Sequence, residues 1–206
     1  MIYTIPAYFP SIAYMANLRK ADRVAFYTGG NYQKQTYRNR CEIHGANGVL
    51  KLSIPILHQK KGYKQKDWEV QVFQENRWKK EHWKSLEAAY RSSPYFEFYE
   101  DDFAPFYQKD IPALMTFNLA ILQKIFEVLE WEWKVEVLEE LPSEPVATEK
   151  LLNAKNGVDP KYFPHYHQVF ETKNGFIPNL SIIDLLFNLG PEANTYLENL
   201  TLPYSY

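Results

Sequence analysis

The sequence predicts an α/β protein: one domain over residues 1–206, a mixed β-sheet with a strand–helix–strand opening, a β-hairpin and packed helices. Three observations predict it. Residues 2–28 place a helix-period stretch between two apolar strand-like runs. Two further strand-like segments flank the turn signal HGANG. Two later stretches repeat apolar residues at helical spacing over several turns.

In chain order, IYTIPA reads as a first strand. SIAYMANLRKA follows, with Ser11 placed to cap a helix whose apolar face holds Ile12, Met15, Ala16 and Leu18. DRVAFYT reads as the second strand, and a strand–helix–strand order favours parallel pairing. TGGN is a turn. KQTYRNRCEI and VLKLSIPI read as the two arms of a hairpin around HGANG, the second ending at Pro55. HQKKGYKQKD reads as a loop and WEVQVF as a further strand. RWKKEHWKSLEAAYRSS reads as a helix with Trp83, Leu86 and Tyr90 on one face and Trp78, His82, Ser85 and Ala89 on the adjoining one. IPALMTFNLAILQKIFEVLEW carries the clearest stripe: Leu114, Phe117, Ile121, Ile125 and Leu129. KVEVLEEL is a late strand and PSEPVATEK a loop. In LSIIDLLFNLGP, Ser181 and Asp184 have capping-box spacing, and Gly190-Pro191 stop the helix.

Composition limits the function classes. With 46% apolar residues the chain can bury one sizeable core. A net charge of −2 and a pI near 6.2 argue against a general nucleic-acid binder. The charge is uneven. Residues 60–84 hold eight Lys/Arg against four acids, and residues 127–149 hold eight Glu against one Lys. Each block is either a solvated face or, for the basic one, a surface that recruits an anion. The lone Cys41 allows no intramolecular disulfide, which fits a reducing compartment, and a buried inert thiol is its plain reading. Pro6 and Pro10 interrupt the N-terminus, so no secretory leader is read there. Asn118, Gln123 and Lys124 break the longest apolar stretch, so no membrane span is read. A soluble, cytoplasmic protein is expected.

No glycine-rich phosphate loop, GxSxG elbow or HExxH pair is present, and no cofactor is expected. His165 and His167 have chelate spacing but read as lacking an acidic or cysteine partner, so no metal is expected either. The stretch NYQKQTYRNRC is more pointed. As a strand it puts Lys34, Thr36, Arg38 and Arg40 on one face. Either that face is wet, or it meets an anion that an arginine fork can grip at two points. His82 is a candidate for proton transfer near neutral pH, and also a plain packed histidine among tryptophans.

Several segments carry a family pattern. Pro6, Tyr8 and Pro10 are followed by Tyr14, then Ala21-Asp22, Asn39-Arg40, Asn47-Gly48 and Pro55. Trp78, His82, Trp83, Leu86, Tyr90, Pro94 and Phe96 follow, and then Tyr166, Gln168, Phe170 and Leu180 through Gly190. In these motifs, which run nearly end to end, the chain resembles the WbqC-like family. NYQKQTYRNRC and GFIPNLSI resemble a branch common in Bacteroidetes. Two positions depart from the usual pattern: Ile5 stands where many members have Gln, and Thr28-Gly29-Gly30 where many carry acids.

The resemblance implies work on an activated sugar or acyl donor in surface-polysaccharide (O-antigen) biosynthesis, and an acyl or glycine-type aminoacyl transfer. On that reading Arg40, with Asn39, Arg38 and Lys34, holds phosphate or carboxylate. Tyr8 and Gln168 position the sugar, with Tyr90 and Tyr166 beside them. His82 takes the proton and Asp184 orients an imidazole or polarises an acceptor amine. The alternative is a non-catalytic glycan- or partner-binding protein, with the basic loop from Lys60 to Lys66 docking on an acidic surface. Convergence of Asn39, Arg40, His82 and Gln168 on one concavity favours the enzyme, and scatter favours the binder. Basic and aromatic residues interleave in QKKGYKQKDW, which suits single-stranded nucleic acid, but the overall acidity argues against that role.

Overall fold

The structure is a computed structural model that describes residues 1–57, 63–74, 77–111, 113–140, 152–153 and 158–203. It is a mixed α/β fold. Strands β1 (Ile2–Thr4), β2 (Val24–Tyr27) and β5 (Val135–Leu138) form a parallel sheet in the order β1-β2-β5. The central strand, VAFY, is buried along its whole length, as a parallel strand covered on both faces must be. Helix α1 (Ile12–Arg19) makes the connection from β1 to β2, and the Ser11 side chain caps it by accepting from the Tyr14 N–H. Seven consecutive α1 residues, Ile12 through Leu18, are buried, so the helix has no wet face.

β3 (Arg40–Gly45) and β4 (Gly48–Ser53) form the antiparallel hairpin, paired from Arg40–Ser53 to Gly45–Gly48. It starts later than KQTYRNRCEI suggests. Residues 32–39 are turns, bends and irregular backbone with a lone bridge from Thr36 to Asn153, and Gln35 takes φ 61, a left-handed conformation that strand pairing does not tolerate. WEVQVF is not a strand either. Asp67–Glu69 close a 3-10 turn, and only isolated bridges, Gln71 with Ala113 and Val72 with Ile56, follow it. Residues 58–62 of the basic loop and all of PSEPVATEK lie outside the described residues.

Helices α2 (Arg77–Tyr90), α3 (Phe96–Phe103), α4 (Leu114–Val128), α5 (Glu171–Asn174), α6 (Ile182–Leu189) and α7 (Glu192–Asn199) complete the fold. α2 buries Trp78, His82, Leu86, Ala89 and Tyr90, a stripe mixing the two faces read from the sequence, while Trp83 stays half-buried. α4 buries the whole expected stripe, down to Leu129. Gly190 stops α6 at φ 56, and a Cβ there would sit 2.5 Å from the Tyr95 ring. The buried apolar residues of sheet, hairpin and helices form one core cluster.

Candidate functional site

The carboxyl ends of parallel strands are where open α/β sheets bind ligands. Here β2 runs into Thr28-Gly29-Gly30, which lies alongside residues 65–68. The Trp68 N–H donates to Thr28 O at 3.1 Å, the Asp67 N–H to Gly30 O at 2.8 Å, and the Tyr32 N–H to Gln65 O at 2.8 Å. Gly29 is needed because a Cβ would stand 1.7 Å from the Glu139 carbonyl oxygen and 2.8 Å from the Trp68 ring.

A buried ion pair ties these segments to the approach of β3. Arg38 Nε donates to Asp67 Oδ1 at 3.0 Å, with side chains 1% and 0% exposed. Arg38 Nη1 also reaches Thr36 Oγ1 at 3.3 Å. From α4, Asn118 Nδ2 donates to the Arg38 carbonyl at 2.7 Å and to that of Pro6 at 3.1 Å, joining the ends of β1 and this loop. Asn39 Nδ2 donates to Ile54 O at 2.8 Å. Arg38 and Asn39 therefore act as structural clamps in this geometry, and Arg38 is turned inward from the expected cationic face.

What stays available is a shorter cationic set. Lys34 and Lys64 are exposed, and Arg40 and Lys66 half-buried. None of the four makes an ion pair among the described residues, and Arg40 Nε is buried with no hydrogen-bond partner. Aromatic side chains border them. Tyr32 feels the charges of Arg38, Arg40 and Asp67, and burial above all pushes its phenol up to about 12, the two arginines pulling it back. Tyr63 and Trp68 are 57% and 40% exposed, leaving ring faces open to a ligand. The arrangement is a basic, aromatic-flanked surface at the end of the parallel sheet.

His82 lies elsewhere, buried among rings. Tyr107 and Tyr8 share a hydroxyl–hydroxyl bond of 2.6 Å, and the Tyr8 hydroxyl lies 3.0 Å from His82 Nδ1. Trp78 covers the imidazole edge-on, 5.1 Å between centroids. Burial holds the ring down at about 4, although a hydrogen bond to the Ser53 backbone works the other way. His82 is thus neutral at pH 7. Its neutral form stabilises the fold by about 3 kcal/mol above pH 6.5, a contribution lost as pH falls toward 4, because the unfolded chain takes up the proton first. His82→Gln is expected to flatten the pH dependence of urea stability between pH 6.5 and 4 relative to wild type. Identical slopes for the two proteins would refute it.

Asp184 centres a third group. Its Oδ1 accepts from the Tyr90 hydroxyl at 2.8 Å, and its Oδ2 from the Tyr166 hydroxyl at 2.5 Å and Gln168 Nε2 at 2.9 Å. Gln168 Oε1 accepts from the Ile177 N–H and lies 3.1 Å from His44 Nδ1. Burial pushes the Asp184 carboxyl up, and the three donors and His44 pull it back. Ser181 caps α6 through the Ile183 N–H at 3.4 Å, but the Asp184 carboxylate serves this network instead of the helix start.

The sequence candidates therefore fall into three groups strung along residues 36–44: Arg38, Asn39 and Arg40; Tyr8 and His82; Tyr90, Tyr166, Gln168 and Asp184. Lys34 stands exposed near the first. Asp67, Tyr107 and His44 complete these groups and were not read from the sequence. His44 had hidden in a turn signal, and nothing local marks Asp67 as the partner of an arginine 29 residues away. His165 and His167 do have an acidic partner, Glu171, which pairs with both rings, the second at 3.3 Å. No set of three or more metal-ligating groups arranged to hold an ion occurs among the described residues. No helix among them is long and apolar enough to cross a membrane.

A model of the WbqC-like protein family matches residues 6–163 and 154–196. An uncharacterized protein of Mycobacterium tuberculosis, Rv1507c, is 28% identical over 218 aligned positions, covering 92% of this chain and 94% of its own. No solved structure matches.

Proposed function

The chain belongs to the WbqC-like protein family, and we propose that it binds a phosphorylated ligand, a nucleotide sugar or an acyl donor, at the cationic surface around Arg40. One observation carries this reading: the buried Arg40 Nε has no hydrogen-bond partner, and its segment is joined by the Asn31–Lys66 bridge to the stretch that lies along the end of β2. A buried donor without a partner costs stability that a bound phosphate oxygen would return. Tyr32, Tyr63 and Trp68 supply surfaces for a base or a sugar ring. The work would be cytoplasmic and the branch the Bacteroidetes-type one, the latter on the strength of NYQKQTYRNRC and GFIPNLSI.

Transfer is the second reading, and the Tyr107–Tyr8–His82 chain is the observation that favours it. An acceptor amine or hydroxyl would attack the donor carbonyl, its proton would pass to a base, and the bond to the leaving group would break as the new acyl bond forms. The hydrogen-bonded chain could carry that proton. Against it, His82 is neutral, buried and engaged at Nδ1, and Asp184 lies in a separate buried network. The scatter of Asn39, Arg40, His82 and Gln168 supports binding first.

Arg40→Ala is expected to leave the melting temperature unchanged and to weaken binding of a uridine diphosphate sugar by about tenfold or more, read by calorimetry. Equal affinity of both proteins, or none for any nucleotide sugar or acyl donor tried, would sink the proposal. Turnover of a bound acyl donor with a sugar amine would decide for transfer.

A further inference from the structure

A second site is formed far from Arg40 in the sequence. A groove of about 440 Å3 lies between the end of α3, the 3-10 turn Ala104–Tyr107 and the first turns of α4. Pro105, Phe106, Ile111, Phe117 and Ala120 give it an apolar floor. Phe106 and Phe117 meet edge to face at 6.0 Å, a rigid corner, and Thr116 and Ala120 are the small residues that keep the helix side open. Largely apolar concavities with a few polar groups at one rim are the usual form of small-molecule sites.

The rim says which molecule. Asp101, Asp102 and Asp110 stand on it, and α3 carries Glu97, Glu100, Asp101 and Asp102 with no base. Lys124, also on the rim, is spent on Asp102 at 3.3 Å and Glu127 at 2.8 Å. Asp110 takes the buried Lys79 at 3.1 Å. Lys109 is the rim cation without an ion pair among the described residues, and Asp101 the rim acid without one. Among the residues that line the groove, three carboxylates stand against two lysines. We propose that the groove binds a small organic cation: an apolar ring or chain lying on Phe106 and Phe117, with an ammonium group held at the Asp101 edge. This site is independent of the phosphate site around Arg40 and would stand if that one failed.

Phenethylamine and phenylacetate, of like size and opposite charge, are the probes. Titration of the 15N-labelled protein with phenethylamine should shift amides of residues 101–120. Phenylacetate should bind about fivefold more weakly, the size expected from exposed charges. Ala120→Trp, at an exposed position, should fill the groove and abolish the shifts while the melting temperature holds. Asp101→Asn should bring the two affinities together. Absence of binding by phenethylamine, equal affinity of the two probes for the wild type, or shifts that survive Ala120→Trp would each overturn the proposal.

Discussion

Arg38→Ala is expected to destabilise the protein by about 3–5 kcal/mol, because it takes the guanidinium away from a carboxylate held in the core. Asp67 is 0% exposed and Arg38 1%. In a domain of this size the loss corresponds to a fall of about 10 °C in melting temperature. The magnitude follows from an asymmetry. A buried pair returns little more than its own desolvation, but removing one member leaves the other charged and unhydrated. Arg38→Met with Asp67→Leu removes both charges at similar volume and is expected to recover most of the loss. Thermal and urea unfolding of the three proteins check this. A loss below about 1 kcal/mol for Arg38→Ala would show a pair that water reaches. The same pair pins the 3-10 turn at Asp67 to the approach of β3, so on the proposed function Arg38→Ala is expected to weaken nucleotide-sugar binding through disorder of Lys64 and Lys66, whereas Arg40→Ala removes the ligand contact itself.

The elements that read well from the sequence are those whose signal is local. Ser11 and the apolar run after it specify α1, and the stripe from Leu114 to Leu129 specifies α4, because periodicity and capping act within a few residues. Only the first half of KQTYRNRCEI departs from a strand, and for a non-local reason, while Arg40 onward forms β3 as read. Its alternation of cations is real, but Arg38 finds Asp67 across the fold and turns inward, and the backbone follows with Gln35 at φ 61. WEVQVF failed in the same way, since Asp67 is drawn into a 3-10 turn whose first residue must face the arginine. Tyr107 escaped notice because its role is to bond a tyrosine 99 residues earlier.

Charge patterning is what motivates the proposed site. Lys66 and the segment leading to Arg40 stand far apart in the sequence, yet the Asn31–Lys66 bridge brings them together beyond the end of β2. That convergence supports the proposed anion site, where each feature separately read either as a solvated face or as a surface that meets an anion. Gly29 and Gly30 explain why acids are absent after β2. Gly29 has no room for a side chain, and a Cβ at Gly30 would lie 3.0 Å from Asp67 Oδ2, so a carboxylate already occupies the space beside it.

Asp184→Ala is the second large effect, with an expected loss of about 3 kcal/mol or more. The carboxylate is the common acceptor for Tyr90, Tyr166 and Gln168, which reach it from α2 and from the segment before α5. Each buried donor left without an acceptor costs about 1–3 kcal/mol, and the missing carboxyl adds a void. Asp184→Asn separates the two costs. It keeps the volume and the acceptor for one tyrosine, but turns an amide N–H₂ toward Gln168 Nε2. That amide cannot flip to accommodate it, because its oxygen already takes the Ile177 N–H and faces His44. A loss intermediate between wild type and alanine is therefore expected for asparagine, measured by urea unfolding at pH 7. If Asp184→Asn were as stable as wild type, the network would be carried by a protonated carboxyl rather than a carboxylate. If Asp184→Ala were equally stable, the site would hold water in its place, and the two tyrosine hydroxyls would be free to serve a ligand instead of the fold.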